Sequence, residues 1–251
     1  MSYLAWLGVL SAGVAVLERI APARREQRAF RKGLGWDVVY LAFNGHVLGV
    51  LLALVASRWI DPGLMPIVDR DLAANWPFWL QALVSLMGLD FVQWCVHRLL
   101  HAVPVLWRLH QVHHSVTDGE MDWIVSFRFH WMESVIYKTA QFLPLALLGF
   151  SDRALLFTAV VGTLVGHLNH ANLDWGHGPW RYVLNSPRMH IWHHDYDAIR
   201  TRNFGIVFSM WDWIFGTAHF PEHPPRRLGF PGEEEMPRDF PRRTLWPAIR
   251  A

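Results

Sequence analysis

The chain contains 251 residues, 52% of them hydrophobic, and its formal net charge is only +2. That length allows one large domain or two small ones, and the small net charge, without a basic run interleaved with aromatic residues, argues against nucleic-acid binding. The single cysteine, Cys95, excludes an internal disulfide, a zinc ribbon and a cysteine-ligated iron–sulfur cluster. The mean hydropathy of +0.14 fits a chain with a membrane-embedded part and a polar part.

Five apolar segments are candidates for membrane-spanning helices, each of which needs about 20 mostly apolar residues. They are residues 3–17, 36–60, 77–96, 132–150 and 153–166. The last two are separated by a tight turn and could instead form a re-entrant hairpin. A soluble helical domain is the alternative, but residues 3–17 and 47–56 are apolar on every side of a helix. We therefore predict an all-α integral membrane protein with four to five transmembrane helices.

The charges of the loops predict how these helices are oriented. Residues 19–35 carry six basic side chains, so the positive-inside rule places this loop in the cytoplasm. Residues 61–76 carry three aspartates and one arginine, which suits the outer side. With this topology the third helix and the last helix both end at the cytoplasmic face, where the sequence predicts a helical, histidine-rich cap.

Ten of the 15 histidines fall into clusters with helical spacing. Spacings of three and four residues bring side chains onto one face of a helix, so each cluster can direct several imidazoles to one point. Ten ligands are too many for a single ion, because one zinc takes three or four, and two metals fit better. Imidazole binds Zn, Cu, Fe and Ni alike, so the residues leave the metal open. The candidates are His97, His101, His110, His113, His114, His167, His170, His190, His193 and His194.

The five remaining histidines have other expected roles. His46 lies in the middle of a predicted helix and should pack there or contact a partner helix. His130 is placed to orient a metal-bound imidazole, as residues around metal ligands often do. We expect His177 to be solvated, and His219 and His223 to lie at the surface.

Several ordered motifs lie between residues 78 and 220. Residues 110–115 read HQVHHS and residues 128–133 read RFHWME. Residues 170–172 read HAN, and residues 186–194 read SPRMHIWHH. The segment NFG at 203–205 and the segment WDWIFGT at 211–217 complete the series. This series resembles the motifs of the fatty acid hydroxylase/sterol desaturase superfamily, which usually has proline where this chain has Trp131.

This resemblance implies a membrane-bound di-iron enzyme that uses O2 to hydroxylate, desaturate or oxidatively demethylate a lipid. Nine of the clustered histidines would bind the two irons, His167 would be a tenth ligand, and no catalytic side chain beyond the ligands is implied. The predicted organisation is then membrane helices in residues 1–77, a catalytic domain in 78–220, and a loosely packed Pro/Arg-rich tail in 221–251.

The oxidation needs electrons from outside the chain. Without a Gly-rich nucleotide motif or a haem or flavin segment, we predict a separate donor of the ferredoxin or cytochrome type. The basic residues Arg98, Arg108, Arg181 and Arg188 suit either an acidic donor or anionic lipid headgroups.

Three other functions remain open at this stage: a carotenoid ring hydroxylase of the same type, a zinc hydrolase and a metal transporter. The hydrolase would need a glutamate beside a histidine pair. The transporter would need ionisable residues at mid-bilayer depth, for which His46 and Asp90 are the candidates. The sequence carries no signal for the oligomeric state.

Overall fold

The computed structural model describes residues 1–55, 57–58, 72–116, 119–197 and 202–246. Their regular structure is helical, apart from isolated antiparallel bridges that join Leu184 to Phe208 and Asp195 to Leu228, so the predicted all-α class is confirmed for these residues. The longer helices are α1 (Tyr3–Ile20), α2 (Leu34–Val55, with a π-helical turn at Phe43–Val47), α3 (Phe78–Ala102), α4 (Pro104–His114), α5 (Trp131–Leu147) and α6 (Asp152–His170).

Short helical elements follow and connect these helices. They are 3-10 turns at Trp123–Phe127, Gly178–Tyr182, Ile191–His194 and Glu233–Glu235, and the short helices α7 (Pro187–His190), α8 (Met210–Ile214) and α9 (Phe240–Arg243).

The turn between α3 and α4 places α4 beside the C-terminal end of α3. Val103 is extended, with φ −95° and ψ 119°, and Pro104 occupies the first turn of α4. Proline suits that position because its missing N–H is not needed in the first turn, whereas it cannot continue the preceding helix. The chain therefore turns after Ala102, and α4 folds back beside the end of α3.

In the part of the chain that the structure describes, three helices, α1, α2 and α3, are long and apolar enough to cross a membrane. Their outer faces expose large apolar side chains, among them Val9, Leu54 and Leu83. Such faces are costly in water and suit a lipid environment. The remaining two predicted spans form α5, with 17 residues, and α6, with 19. The second predicted span reaches residue 60, and its residues 56, 59 and 60 lie outside the described part of the chain.

Polar pairs inside the bundle fix how the helices are rotated. Tyr3 Oη lies 2.8 Å from Thr163 Oγ1, which joins α1 to α6. Ser85 Oγ lies 2.8 Å from Thr158 Oγ1, which joins α3 to α6. Interhelical hydrogen bonds of this kind hold helices together where lipid removes the hydrophobic driving force. Because of these contacts, the C-terminal ends of α3 and α6 face a common space.

The C-terminal segment is packed, in contrast to the loose tail that its composition predicts. Phe230, Met236 and Trp246 are buried in one cluster with Tyr40 of α2 and Trp107 of α4. Prolines, glycines and charged residues separate these three apolar residues along the chain, so the segment shows no helical or strand periodicity. A few large side chains are nevertheless enough to dock it, because each aromatic ring buries a large apolar area.

Candidate metal centre

Nine of the ten predicted ligands converge in two adjacent, fully buried groups. In each group, one ligand atom per histidine lies within 4.8 Å of the corresponding atoms of the other members. None of the nine side chains is more than 2% exposed. The first group is His97, His101, His110, His114 and His193; the second is His113, His170, His190 and His194.

Each histidine triple is divided between the two groups. On α4, His110 and His114 belong to the first group and His113 to the second. Similarly, His193 joins the first group, whereas His190 and His194 join the second. Simple helical spacing would predict that each triple forms one site. In the structure, each triple instead contributes to both groups.

The geometry within the groups fits bound metal. The Nε2 atoms of His97 and His110 lie 3.1 Å apart, those of His101 and His114 3.2 Å, and those of His113 and His170 3.2 Å. A neutral imidazole has one N–H and one lone pair, and a metal ion can accept several converging lone pairs where the protein offers no donors. The donor set therefore fits two closely spaced ions.

Unpartnered ring nitrogens support the same interpretation. An unpaired buried polar atom costs about 1–3 kcal/mol, so a group of them without a ligand would be strongly unfavourable. Among the clustered histidines of the described residues, the unpaired nitrogen of His193 is Nε2, opposite the Nδ1 that bonds to Arg202 O, and both nitrogens of His194 are unpaired.

The histidines outside the membrane-spanning helices are held in the form that binds metal. Burial lowers the pKa of each ring well below its usual range, and repulsion from neighbouring imidazoles lowers it further. Because only neutral imidazole offers a lone pair, protons compete weakly with a metal here. The rings concerned are His110, His113, His114, His190, His193 and His194.

Glu133 orients one of these rings. Its Oε1 lies 2.7 Å from His110 Nδ1 and accepts a hydrogen bond from it. This bond directs the lone pair of His110 Nε2 into the first group and increases the basicity of the ring. The sequence predicts this orienting role for His130, whereas in the structure Glu133 is the residue that contacts a ligand ring.

Backbone carbonyls orient three further ligands. His97 Nδ1 donates to Phe204 O at 2.8 Å, His193 Nδ1 donates to Arg202 O at 2.9 Å, and His170 Nδ1 donates to Gly166 O at 2.8 Å. In each ring the opposite nitrogen is left to face the cluster. No sequence signal identifies these partners, because any residue type carries a carbonyl.

The last motif of the sequence holds the loop that carries Phe204. The carboxylate of Asp212 accepts hydrogen bonds from the N–H groups of Phe204, at 2.9 Å, and Gly205, at 2.8 Å. A β-carbon at Gly205 would lie 2.4 Å from Phe208 O, so glycine is required there. The motif therefore supports the metal centre through the backbone and does not supply ligands.

His167 lies outside both groups. Ser11 Oγ lies 3.1 Å from its Nε2 and Ser126 Oγ lies 2.7 Å from its Nδ1, so both ring nitrogens already have partners. His130 begins α5, where its Nδ1 accepts from Met132 N and its Nε2 donates to Thr244 O. Neither ring has a nitrogen directed at the histidine groups.

The other histidines lie mostly where the sequence predicts. His177 and His223 are exposed. His219 is partly buried against Trp192, with ring centroids 4.8 Å apart, and so differs from the expected surface residue. His46 lies in the π-helical turn of α2 and lines a cavity.

This cavity leads from the histidines into the helix bundle. Its volume is about 480 Å³, and its walls are mostly apolar, with Leu86, Leu89 and Phe142 among the lining residues. Ligand sites are usually concave and mostly apolar, with a few polar groups. Four of the clustered histidines form one end: His97, His110, His113 and His170.

The opposite side of the cavity reaches the outer face of α2. Val50 and Ala53 line the cavity and are also exposed on the outside of the bundle. The wall of the cavity at these two positions is therefore also part of the outer surface of the bundle. The basic residues Arg98 and Arg108 are exposed at the opposite, histidine-bearing end.

The fold and the buried histidines define a helical membrane protein with a candidate polynuclear metal centre, and comparison with known proteins names the family. The model of the fatty acid hydroxylase family matches residues 82–217, which is more than half of the chain. The chain therefore belongs to the fatty acid hydroxylase family.

Three relatives illustrate the range of the family. Ornithine lipid hydroxylase OlsE of Rhizobium tropici is 34% identical over 60% of this chain and 45% of its own length. Fatty acid hydroxylase vlmA of Lecanicillium sp is 36% identical over 73% of this chain and 53% of its own. Human alkylglycerol monooxygenase is 29% identical over 53% of this chain and 29% of its own. This chain thus spans about half or less of these relatives, and no solved structure matches it.

Proposed function

We propose that this protein is a membrane-bound, iron-dependent lipid hydroxylase that uses O2. The observation that carries the proposal is the position of two all-histidine groups, fully buried and side by side, at the end of an apolar cavity. A soluble substrate would not require such walls, whereas an acyl or isoprenoid chain does. The names of the relatives, two hydroxylases and a monooxygenase, support the same chemistry.

Two irons are the proposed cofactor, held by the nine histidines of the two groups. Bound iron would supply the reduction of O2 and the oxidation of an unactivated C–H bond. His167 is not included in the proposed ligand set, because both of its nitrogens are bonded to serines.

The side chains around the ligands have supporting tasks. Glu133 holds the proton on His110 Nδ1, and the apolar lining keeps water from the reacting carbon. Hydroxylation consumes one O2, two electrons and two protons and gives the alcohol and one water. Desaturation consumes the same reagents, removes two hydrogens from the lipid and gives two waters. The electrons come from an external donor of the ferredoxin or cytochrome type.

The proposed topology places the metal centre on the cytoplasmic face. In addition to α1, α2 and α3, the pair α5 and α6 spans the bilayer. The basic loop between α1 and α2 lies at the histidine-bearing end, where Arg31 Nε donates to Asp122 at 2.7 Å. The positive-inside rule then supports cytoplasmic histidines.

Metal analysis tests this function. Protein purified from iron-supplemented cells should contain about two irons per chain, and it should transfer one atom of labelled O2 to a lipid. His113→Ala should remove iron and activity but leave membrane insertion unchanged, whereas His223→Ala, an exposed control, should retain both. Zinc alone in the purified protein, or full activity of His113→Ala, would overturn the proposal. A carotenoid in the substrate panel tests the alternative substrate class.

A further inference from the structure

Lys138 places an ionisable amine inside the apolar bundle. It is one of only two lysines in the chain, and it lies on α5 in the lining of the cavity. Its Nζ lies beside α2, where a β-carbon on Gly49 would be 3.8 Å from it. An ionisable residue at membrane depth is energetically costly and is typically functional.

The protein offers this lysine no counter-charge among the described residues. Asp90 is the acidic side chain in the cavity lining, and its carboxylate is already occupied. It accepts hydrogen bonds from Val207 N at 2.7 Å and from Phe208 N and Trp211 Nε1 at 3.0 Å each. Asp90 therefore serves the loop that follows the metal centre, and Lys138 has no ion pair with it.

Ser134 adds a hydrogen-bond donor close to Lys138. Its hydroxyl is buried, lines the cavity and has no partner within the described residues. Positions four residues apart share one face of a helix, and helical side chains lean towards the N-terminus. Ser134 and Lys138 therefore lie on the same face of α5, one turn apart, and both line the cavity. By contrast, the nearby Gln141 donates its amide to Gln93 and Leu89.

We propose that Lys138 and Ser134 form a subsite for the acidic group of the substrate, a carboxylate or a phosphate. One oxyanion would satisfy both groups at once, and hydrogen bonds between charged partners are the strong ones. The apolar chain of the same molecule would occupy the remaining cavity and extend towards the histidines. The inference rests on the proposed function and narrows the substrate class to acidic lipids.

Equilibrium binding tests this subsite without turnover. Parinaric acid, a fluorescent polyene fatty acid, and its methyl ester are titrated into metal-loaded protein in neutral detergent, with no reductant present. The wild type should bind the acid at least 10-fold more tightly than the ester. Lys138→Met should weaken binding of the acid about 10-fold or more, because it removes a hydrogen bond to a charged group, and should leave binding of the ester within about 2-fold.

Matched variants separate charge from packing. Lys138→Arg keeps the charge and should retain most of the affinity for the acid, and Ser134→Ala should weaken it by a smaller factor than Lys138→Met. Arg153→Met removes an exposed cation from α6 and should change nothing. Equal affinities of the wild type for acid and ester, or equal losses of both in Lys138→Met, would overturn the subsite.

Displacement identifies the source of the acidic group. Palmitate and dipalmitoyl phosphatidic acid are compared as competitors of bound parinaric acid, with dipalmitoylglycerol as the neutral lipid. Stronger displacement by palmitate indicates a carboxylate, stronger displacement by phosphatidic acid indicates a phosphate, and displacement by the neutral lipid as strong as by either acid refutes the subsite. The metal content is measured separately. The proposed function can therefore fail while the subsite is supported, and the subsite can fail while the proposed function is supported.

Discussion

Replacing Glu133 by glutamine should weaken metal binding without weakening the fold. Glu133 is completely buried, and its carboxylate makes a single described hydrogen bond, from His110 Nδ1 to Oε1 at 2.7 Å. Its Oε2 has no partner within the described residues. Glutamine keeps the shape and the accepting oxygen but removes the negative charge.

Two effects of this substitution oppose each other, and their sizes decide the result. A charge-assisted hydrogen bond is worth about 1.5–3 kcal/mol and a neutral one about 0.5–1.5 kcal/mol. The difference of about 1–1.5 kcal/mol corresponds to roughly a 10-fold loss of metal affinity, within the range of about 10–100-fold for partners of metal-bound histidines. In the metal-free protein, by contrast, the buried charge is a cost that glutamine removes.

Chelator competition and thermal unfolding measure the two effects separately. The variant should lose iron to a ferrous chelator at about one tenth of the concentration that wild-type protein requires, and its melting temperature without metal should be unchanged or higher. Glu222→Gln, at an exposed glutamate, is the control. Unchanged iron affinity in Glu133→Gln, or a loss that follows a lower melting temperature of the metal-free protein, would refute this reasoning.

Two further substitutions test the surroundings of the centre. His167→Ala removes the bonds to Ser11 and Ser126 and should destabilise the protein by about 1–3 kcal/mol while the iron content stays at the wild-type value; loss of iron would instead make His167 a ligand. Trp246→Ala should cost about 3–5 kcal/mol in the free energy of unfolding, because the ring is buried and its Nε1 donates to Gln111 of α4 at 3.1 Å. A change below about 1 kcal/mol in denaturant unfolding would mean that the C-terminal segment is as loosely held as its composition suggests.

The sequence predicts the helices and the ligand chemistry because both leave local patterns. Apolar runs of about 20 residues identify α2 and α3, and spacings of three and four residues place His110, His113 and His114 close together on α4. The allocation of His113 to one group and its two neighbours to the other follows from packing against α6 and α7, which leaves no local pattern.

The same limit explains where the structure departs from the sequence prediction. His167 is three residues from His170, the same spacing as between His110 and His113. Its Nε2, however, is hydrogen-bonded to Ser11, which is distant in sequence. Lys138 is visible in the sequence as a basic residue in an apolar helix. Its position becomes informative only when the structure shows that it lines a cavity. The docked C-terminal segment has no periodicity, so its apolar residues resemble those of a tail.

The division of both histidine triples between the two groups makes the two proposed irons interdependent. His110 and His114 would be held by an ion in the first group, and they share α4 with His113, which would serve the second group. Ordering of α4 by the first ion would then favour the second binding step. At limiting iron, the population should divide into metal-free and fully loaded molecules, with few chains that hold a single ion.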